Sequence, residues 1–172
     1  SEKPQASAPD MAAGCFYDTL AFGDDKTTVI SKLKQSKRFH SELDETFFAR
    51  TGLNGTFHTT KGNEFFGMQS SLYYDWDESK GLKKLSLHGH HTPAEKTETE
   101  LLPTYMKMVA SINKYFGVAK NTASKPEYDG LGEGEITFCH VWPLKTEGSL
   151  LMGVGKQEGK HVIIARFTKE RH

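Results

Sequence analysis

The stretch TETELLPTYMKMVASINKYFG, residues 97–117, decides how this chain is read. Thr97 and Glu100 have capping-box spacing, Thr99 is an alternative cap, and Pro103 is tolerable only in a first turn. Leu102, Tyr105, Met106, Val109, Ile112 and Phe116 recur at spacings of three and four, which draws one apolar stripe along a helix. Gly117 stands where a left-handed C-terminal cap belongs. The spacing therefore predicts one amphipathic helix, with its Tyr and Met stripe turned into a core rather than onto a cofactor.

Downstream of it, after a polar connection with Pro126 and three glycines, come EITFCHVWPL, SLLMGVGKQ and KHVIIARFT, joined by KTEG and QEGK turns. They read as three antiparallel strands. VIIARF and SLLMGV are apolar on both parities, so both faces of these strands should be covered. Upstream, LNGTFHTT, EFFGMQSSLYYDW and LKKLSLHGHH are separated by the turn sequences KGN and DESKG. In the middle one Phe66, Met68, Leu72, Tyr74 and Trp76 share one face, and Phe65, Gln69, Ser71, Tyr73 and Asp75 share the other. In the next, Leu85 and Leu87 oppose Lys84, Ser86, His88 and His90. Residues 41–50, with Phe47 and Phe48, follow neither period.

A second, weaker helix precedes these strands. Asp24 or Asp25 caps it, Val29, Ile30 and Leu33 are its apolar positions, and Phe39 closes it. Lys26, Lys32, Lys34, Lys37 and Arg38 make the rest of its surface basic. A solvated face is the ordinary reading of such a run, and a binding patch is the alternative. Helix plus meander is thus given twice. The expected fold class is α+β: two tandem helix-plus-antiparallel-meander modules, residues 14–92 and 93–172, each sheet covered by a helix. Residues 1–13, rich in Ala, Ser and Pro, read as a disordered tether.

Bulk composition removes several classes of function. Lys plus Arg equals Asp plus Glu, 22 against 22, so no global basic field draws nucleic acid. No run approaches the roughly 18 apolar residues of a transmembrane helix. The two cysteines, Cys15 and Cys139, have no metal-binding or C-x-x-C spacing; an oxidising compartment would permit their pairing and the cytosol would keep them as separate thiols. Ala12-Ala13-Gly14-Cys15 has the outline of a lipoprotein cleavage box but lacks the apolar segment that precedes one. A removed export signal, with a lipid anchor upstream of Ser1, would fit this start, as would trimming.

No motif commits to a chemistry. G-x-S-x-G, a Walker loop and H-E-x-x-H are missing from the sequence. Neighbouring strand residues face opposite ways, so His140 is badly placed to activate Cys139, and a structural cysteine is expected. No catalytic or cofactor-binding residue is nominated. His88 and His90, at a spacing of two on one strand, are the candidates for holding a metal, with His58, His140 or His161 as the further ligand such a site requires. Phe65 and Tyr73, with His88 and His90, are the candidates for contact with a partner, because aromatic side chains on a mixed face resemble the composition of interfaces.

FGDDKTTVISKL (residues 22–33) is similar to the G-x-[ST]-x-x-x-V-x-x-x-L opening of helices in one family. The later helix ending Tyr115-Phe116-Gly117, with Trp142 in the strand region after it, fits the same plan. Over residues 20–168 the order of elements resembles the beta-lactamase-inhibitor-protein-like fold, and also the small lipoproteins of the outer-membrane β-barrel assembly machinery. Asp-Asp-Lys departs from the small residue usual in that opening. The resemblance implies an exported bacterial protein, periplasmic, lipid-tethered or secreted, that binds a protein or peptide without catalysis. A metal-binding protein or enzyme centred on His88 and His90 is the alternative expectation.

Overall fold

The computed structural model describes residues 11–41 and 52–172. The expectations for most of the tether, residues 1–10, and for Phe47 and Phe48 lie outside the described residues. Of the tether's end, Ala12 is tied down, its N–H donating to the Asp18 carbonyl at 3.0 Å.

The fold is α+β. Among the described residues there are two α-helices, α1 (Lys26–Gln35) and α2 (Leu102–Phe116). The strands are β1 (Phe39–His40), β2 (His58–Thr59), β3 (Ser71–Trp76), β4 (Leu82–Thr92), β5 (Lys120–Asn121), β6 (Ile136–Pro143), β7 (Ser149–Gln157) and β8 (Lys160–Thr168). They form one antiparallel eight-stranded sheet in the order β1-β2-β3-β4-β8-β7-β6-β5. The chain divides into two compact units, Ser1–Leu87 and His88–His172, a division that falls inside β4.

In the first unit Asp25 caps α1, its carboxylate accepting the Thr28 N–H at 2.7 Å. That bond holds the Asp25 carboxyl below its ordinary pKa. Val29 and Leu33 are buried, and Ile30 is half-buried. Lys32 and Lys34 in the last turn suit the negative end of the helix dipole. Ser36 then turns extended, so Phe39 does not close the helix; it begins β1, buried.

LNGTFHTT is mostly loop, and only its end is strand. Asn54 Oδ1 accepts the Tyr74 N–H at 2.8 Å, and the Gly55 N–H donates to the Leu72 carbonyl at 2.8 Å. These bonds lash the loop to β3 in place of a regular ladder. EFFGMQ also departs from alternation. Phe65 and Met68 exchange backbone hydrogen bonds of 3.0 and 2.8 Å across Phe66 (φ 47°) and Gly67 (φ 83°). Positive φ at both central residues makes a tight primed-type turn, which suspends the period of two. Phe65 and Phe66 are consequently both buried.

In the second unit the helical stretch has three parts, where one helix was expected. A 3-10 turn at Ala94–Lys96 leads into a π turn at Thr97–Leu101, and α2 follows. The Leu102 N–H donates to the Thr97 carbonyl, the i to i−5 bond of a π turn. Pro103 has no N–H and lies in the first turn of α2, so the α ladder starts cleanly only after it. Thr97 makes no capping box. Its hydroxyl donates to the Ala94 carbonyl at 2.9 Å.

The buried face of the helix is also turned from the expected stripe. Leu101, Tyr105, Met108, Val109 and Ile112 are buried, whereas Met106 is 42% exposed. Leu102 and Phe116 are half-buried. Tyr105 sets this rotation, because its hydroxyl reaches into the strands that follow. It donates to the Met152 carbonyl at 3.0 Å. Asn113 adds a second polar tie, accepting from Trp142 Nε1 at 2.9 Å.

Strands β6, β7 and β8 lie where their sequences predict. Their register pairs His140 with Met152 and Met152 with Ala165, with a bulge in β6 between Phe138 and His140. Both parities of β8 are buried, Val162 and Ile164 as well as Ile163 and Ala165, as its doubly apolar sequence requires. Cys15 and Cys139 are both free thiols.

Candidate functional site

Of the residues nominated for a partner, Phe65 and Tyr73 belong to the first unit. Phe65 is not on the mixed face. It is fully buried against Tyr17 and Phe66, with ring centroids 5.7 and 4.9 Å away. The turn at residues 65–68 has rotated it inward.

Tyr73 is half-buried on the face opposite the core residues Leu72 and Tyr74. The geometry under its ring is close: a Cβ added at Gly55 would stand 3.3 Å from the Tyr73 hydroxyl, and Gly55 has φ +75°. A glycine there lets the ring lie against the loop. His58 pairs with Ser71 in the register of β2 and β3, and its Nδ1 is 2.8 Å from the Ser71 hydroxyl. His40 pairs with His58 across β1 and β2, their rings 5.7 Å apart. One face of these strands therefore holds His40, His58, Ser71, Tyr73 and Asp75, while Thr59, Leu72 and Tyr74 fill the other. His40 and Asp75 are exposed.

In the second unit His88 and His90 are not equivalent. His88 is half-buried, and its Nδ1–H donates to Gln157 Oε1 at 3.1 Å. Burial is the main cause that lowers its pKa to about 4; the Gln157 bond opposes it, and nearby Arg166 and His91 assist it. His90 is exposed and has left-handed backbone, φ 53°. That φ breaks the alternation on which a shared face depends, so the two imidazoles are not successive rungs of a regular strand. Among the described residues no group of three or more His, Cys, Asp and Glu side chains is arranged to hold a metal ion.

Two other histidines, at positions 140 and 161, are more deeply buried. The Tyr105 hydroxyl spends its proton on Met152, so at 2.7 Å it accepts from His140 Nδ1–H. The Thr97 hydroxyl spends its proton on Ala94, so at 2.6 Å it accepts from His161 Nδ1–H. Both rings are neutral Nδ1–H tautomers held by hydroxyls, and burial lowers both pKa values. The Tyr128 ring meets His161 edge-on at 5.3 Å. A hydrogen bond to the Glu98 side chain is the first cause that pushes the Tyr128 hydroxyl up to about 12.

Cys139 does not engage its neighbour His140. Its Sγ donates to the Ala123 carbonyl at 3.2 Å, and burial raises the thiol pKa. That environment opposes the thiolate a nucleophile needs.

Sequence reasoning had missed the hydroxyl partners of His140 and His161. The clue to His140 was its parity with Trp142, which stacks on it at 5.9 Å. No local signal pointed to Thr97 as the partner of His161, since 64 residues separate them. No helix among the described residues is long and apolar enough to cross a membrane. Compared with family models, curated proteins and solved structures, the chain matches none.

Proposed function

We propose that this chain is an exported bacterial binding module, which holds a protein or peptide on the mixed face of its sheet and performs no chemistry of its own. The observation that carries this reading is the sidedness of β1 to β3. One side is sealed core, and the other carries Tyr73, His58 and the exposed His40 and Asp75 on short strands. Tyr offers a large rigid contact surface with one polar tip, which is why it is enriched at interfaces. Tyr73 is the central contact of the proposed surface. His88 and His90 belong to the second unit and stay outside this surface; Phe65 is withdrawn from the set because it is buried.

The tandem organisation belongs to the same reading. Among the described residues each unit contains one α-helix, and α2 sends Tyr105 and Asn113 onto the strands that follow it, as a helix-first module would. The family resemblance adds the cell envelope or the extracellular space as the setting.

A photocrosslinking amino acid in place of Tyr73 tests the reading, with Lys145, exposed and remote in sequence, as the control position. In envelope or culture-fluid fractions of a bacterial host that makes this protein, position 73 should yield a discrete adduct that position 145 does not. The adduct should disappear when His40 and His58 are both changed to Ala. Identical adduct patterns from positions 73 and 145 would remove the proposed face from consideration.

A further inference from the structure

Beside the C-terminal end of α1 the first unit contains a cavity of about 620 Å³. Its size lies within the range of small-molecule sites, roughly 300–1,000 Å³, yet such sites are mostly apolar. Among the described residues every lining side chain is polar or charged, including Asp18, Lys32, Ser36, Lys37, Arg38 and Asn63. The stems of the long side chains add apolar surface between these groups. Such a wall suits a ligand that carries hydrogen-bonding groups on a carbon frame.

The charges of the wall can be assigned one by one. Lys32 Nζ lies 2.7 Å from the Asp24 carboxylate, and Arg38 Nε lies 3.5 Å from that of Asp18. Those two pairs leave Lys37, which is exposed and has no acidic partner within ion-pair distance among the described residues. Among the described residues the wall thus presents one uncompensated positive charge.

The neutral groups offer both kinds of hydrogen bond. Ser36 Oγ accepts the Arg38 N–H at 3.2 Å, so its own O–H remains a donor. Asn63 Nδ2 donates to Thr60 Oγ1 at 2.8 Å, and its Oδ1 remains an acceptor. A donor and an acceptor lining one cavity can serve hydroxyls, which accept from one and donate to the other.

We propose that this cavity binds a monosaccharide-sized hydroxylated compound carrying a single acidic group, with Lys37 on the acid and Ser36 and Asn63 on hydroxyls. The basic run of α1 is then more than a solvated face. Its last members form one wall of a site, while Lys26 and Lys34 remain outside it.

Isothermal titration of the full chain with glucuronate at neutral pH and low salt tests the assignment, with glucose and inorganic phosphate as separate titrants. Glucuronate should bind saturably at one site. Glucose, which lacks the charge, and phosphate, which lacks the sugar hydroxyls, should each bind at least about tenfold more weakly. Lys37→Gln should weaken glucuronate by about tenfold or more without moving the thermal midpoint of the unliganded protein, because the side chain is exposed. No saturable glucuronate binding at millimolar concentration would overturn the proposal. So would phosphate or glucose binding as tightly as glucuronate, or undiminished binding by a folded Lys37→Gln.

Discussion

Two buried tyrosines make opposite predictions from the same substitution. The Tyr74 hydroxyl is the buried side-chain polar atom that has no hydrogen-bond partner among the described residues. Burying it unpaired costs about 1–3 kcal/mol, so Tyr74→Phe should leave stability unchanged or raise it by about 1 kcal/mol. The Tyr105 hydroxyl instead joins the Met152 carbonyl and His140 Nδ1. Tyr105→Phe strands that imidazole N–H and should lower stability by about 2 kcal/mol. Paired urea titrations check both; a fall in the Tyr74→Phe midpoint would mean that its hydroxyl is satisfied. Neither role was legible in the sequence, which placed Tyr74 and Tyr105 on apolar faces but could not say what their oxygens meet. Alternation did identify Leu72, Tyr74, Leu85 and Leu87 as core. It failed at Phe65, because the positive φ of Phe66 and Gly67 reverses the chain there, and Phe is a residue type that seldom signals such a turn.

Among the elements, β6 to β8 followed their patterns most closely, since long apolar runs bounded by turn residues leave few alternatives. What the pattern did not disclose was how closely β6 approaches β7 at its bulge. A Cβ added at Gly153 would fall on the backbone carbonyl of Thr137, which cannot swing aside as a side chain could. Gly153→Ala should therefore destabilise by about 3 kcal/mol, near the upper end of ordinary overpacking. A midpoint within error of the parent would show that the bulge relaxes at little cost. The helix at residues 97–117 was legible in its body and its Gly117 stop but not in its start. A capping box is a local device, whereas Thr97 is claimed by His161 on a distant strand, and the π turn carries it there. Long-range hydrogen bonds of this kind override local capping without leaving a mark in the spacing.

For the whole molecule, the neutral histidines set an expectation for stability against pH. The folded pKa of His88, about 4, lies below the unfolded value of about 6.5. Between these values the unfolded chain holds more protons, so stability is full above pH 6.5 and declines as pH falls towards 4. After allowance for solvent screening at this half-buried site the loss from His88 is about 1–2 kcal/mol. His140 and His161, also lowered, add in the same direction. Asp25, whose pKa is lowered, gives up its contribution only below its unfolded value near 3.9, a separate window. Urea midpoints at pH 7 and pH 4.5 check this, and His88→Gln should flatten the difference. Equal midpoints in the parent protein would mean that these rings are charged in the fold. Strand order across the sheet was not legible at all, because pairing partners distant in sequence carry no local signature. That order has a practical side. Among the described residues the outermost strands are stubs, β1 and β5, each of two residues. A strand that short gives a passing chain almost no rungs to add to, so the two ends of the sheet resist the edge-to-edge growth by which exposed sheets turn into fibrils.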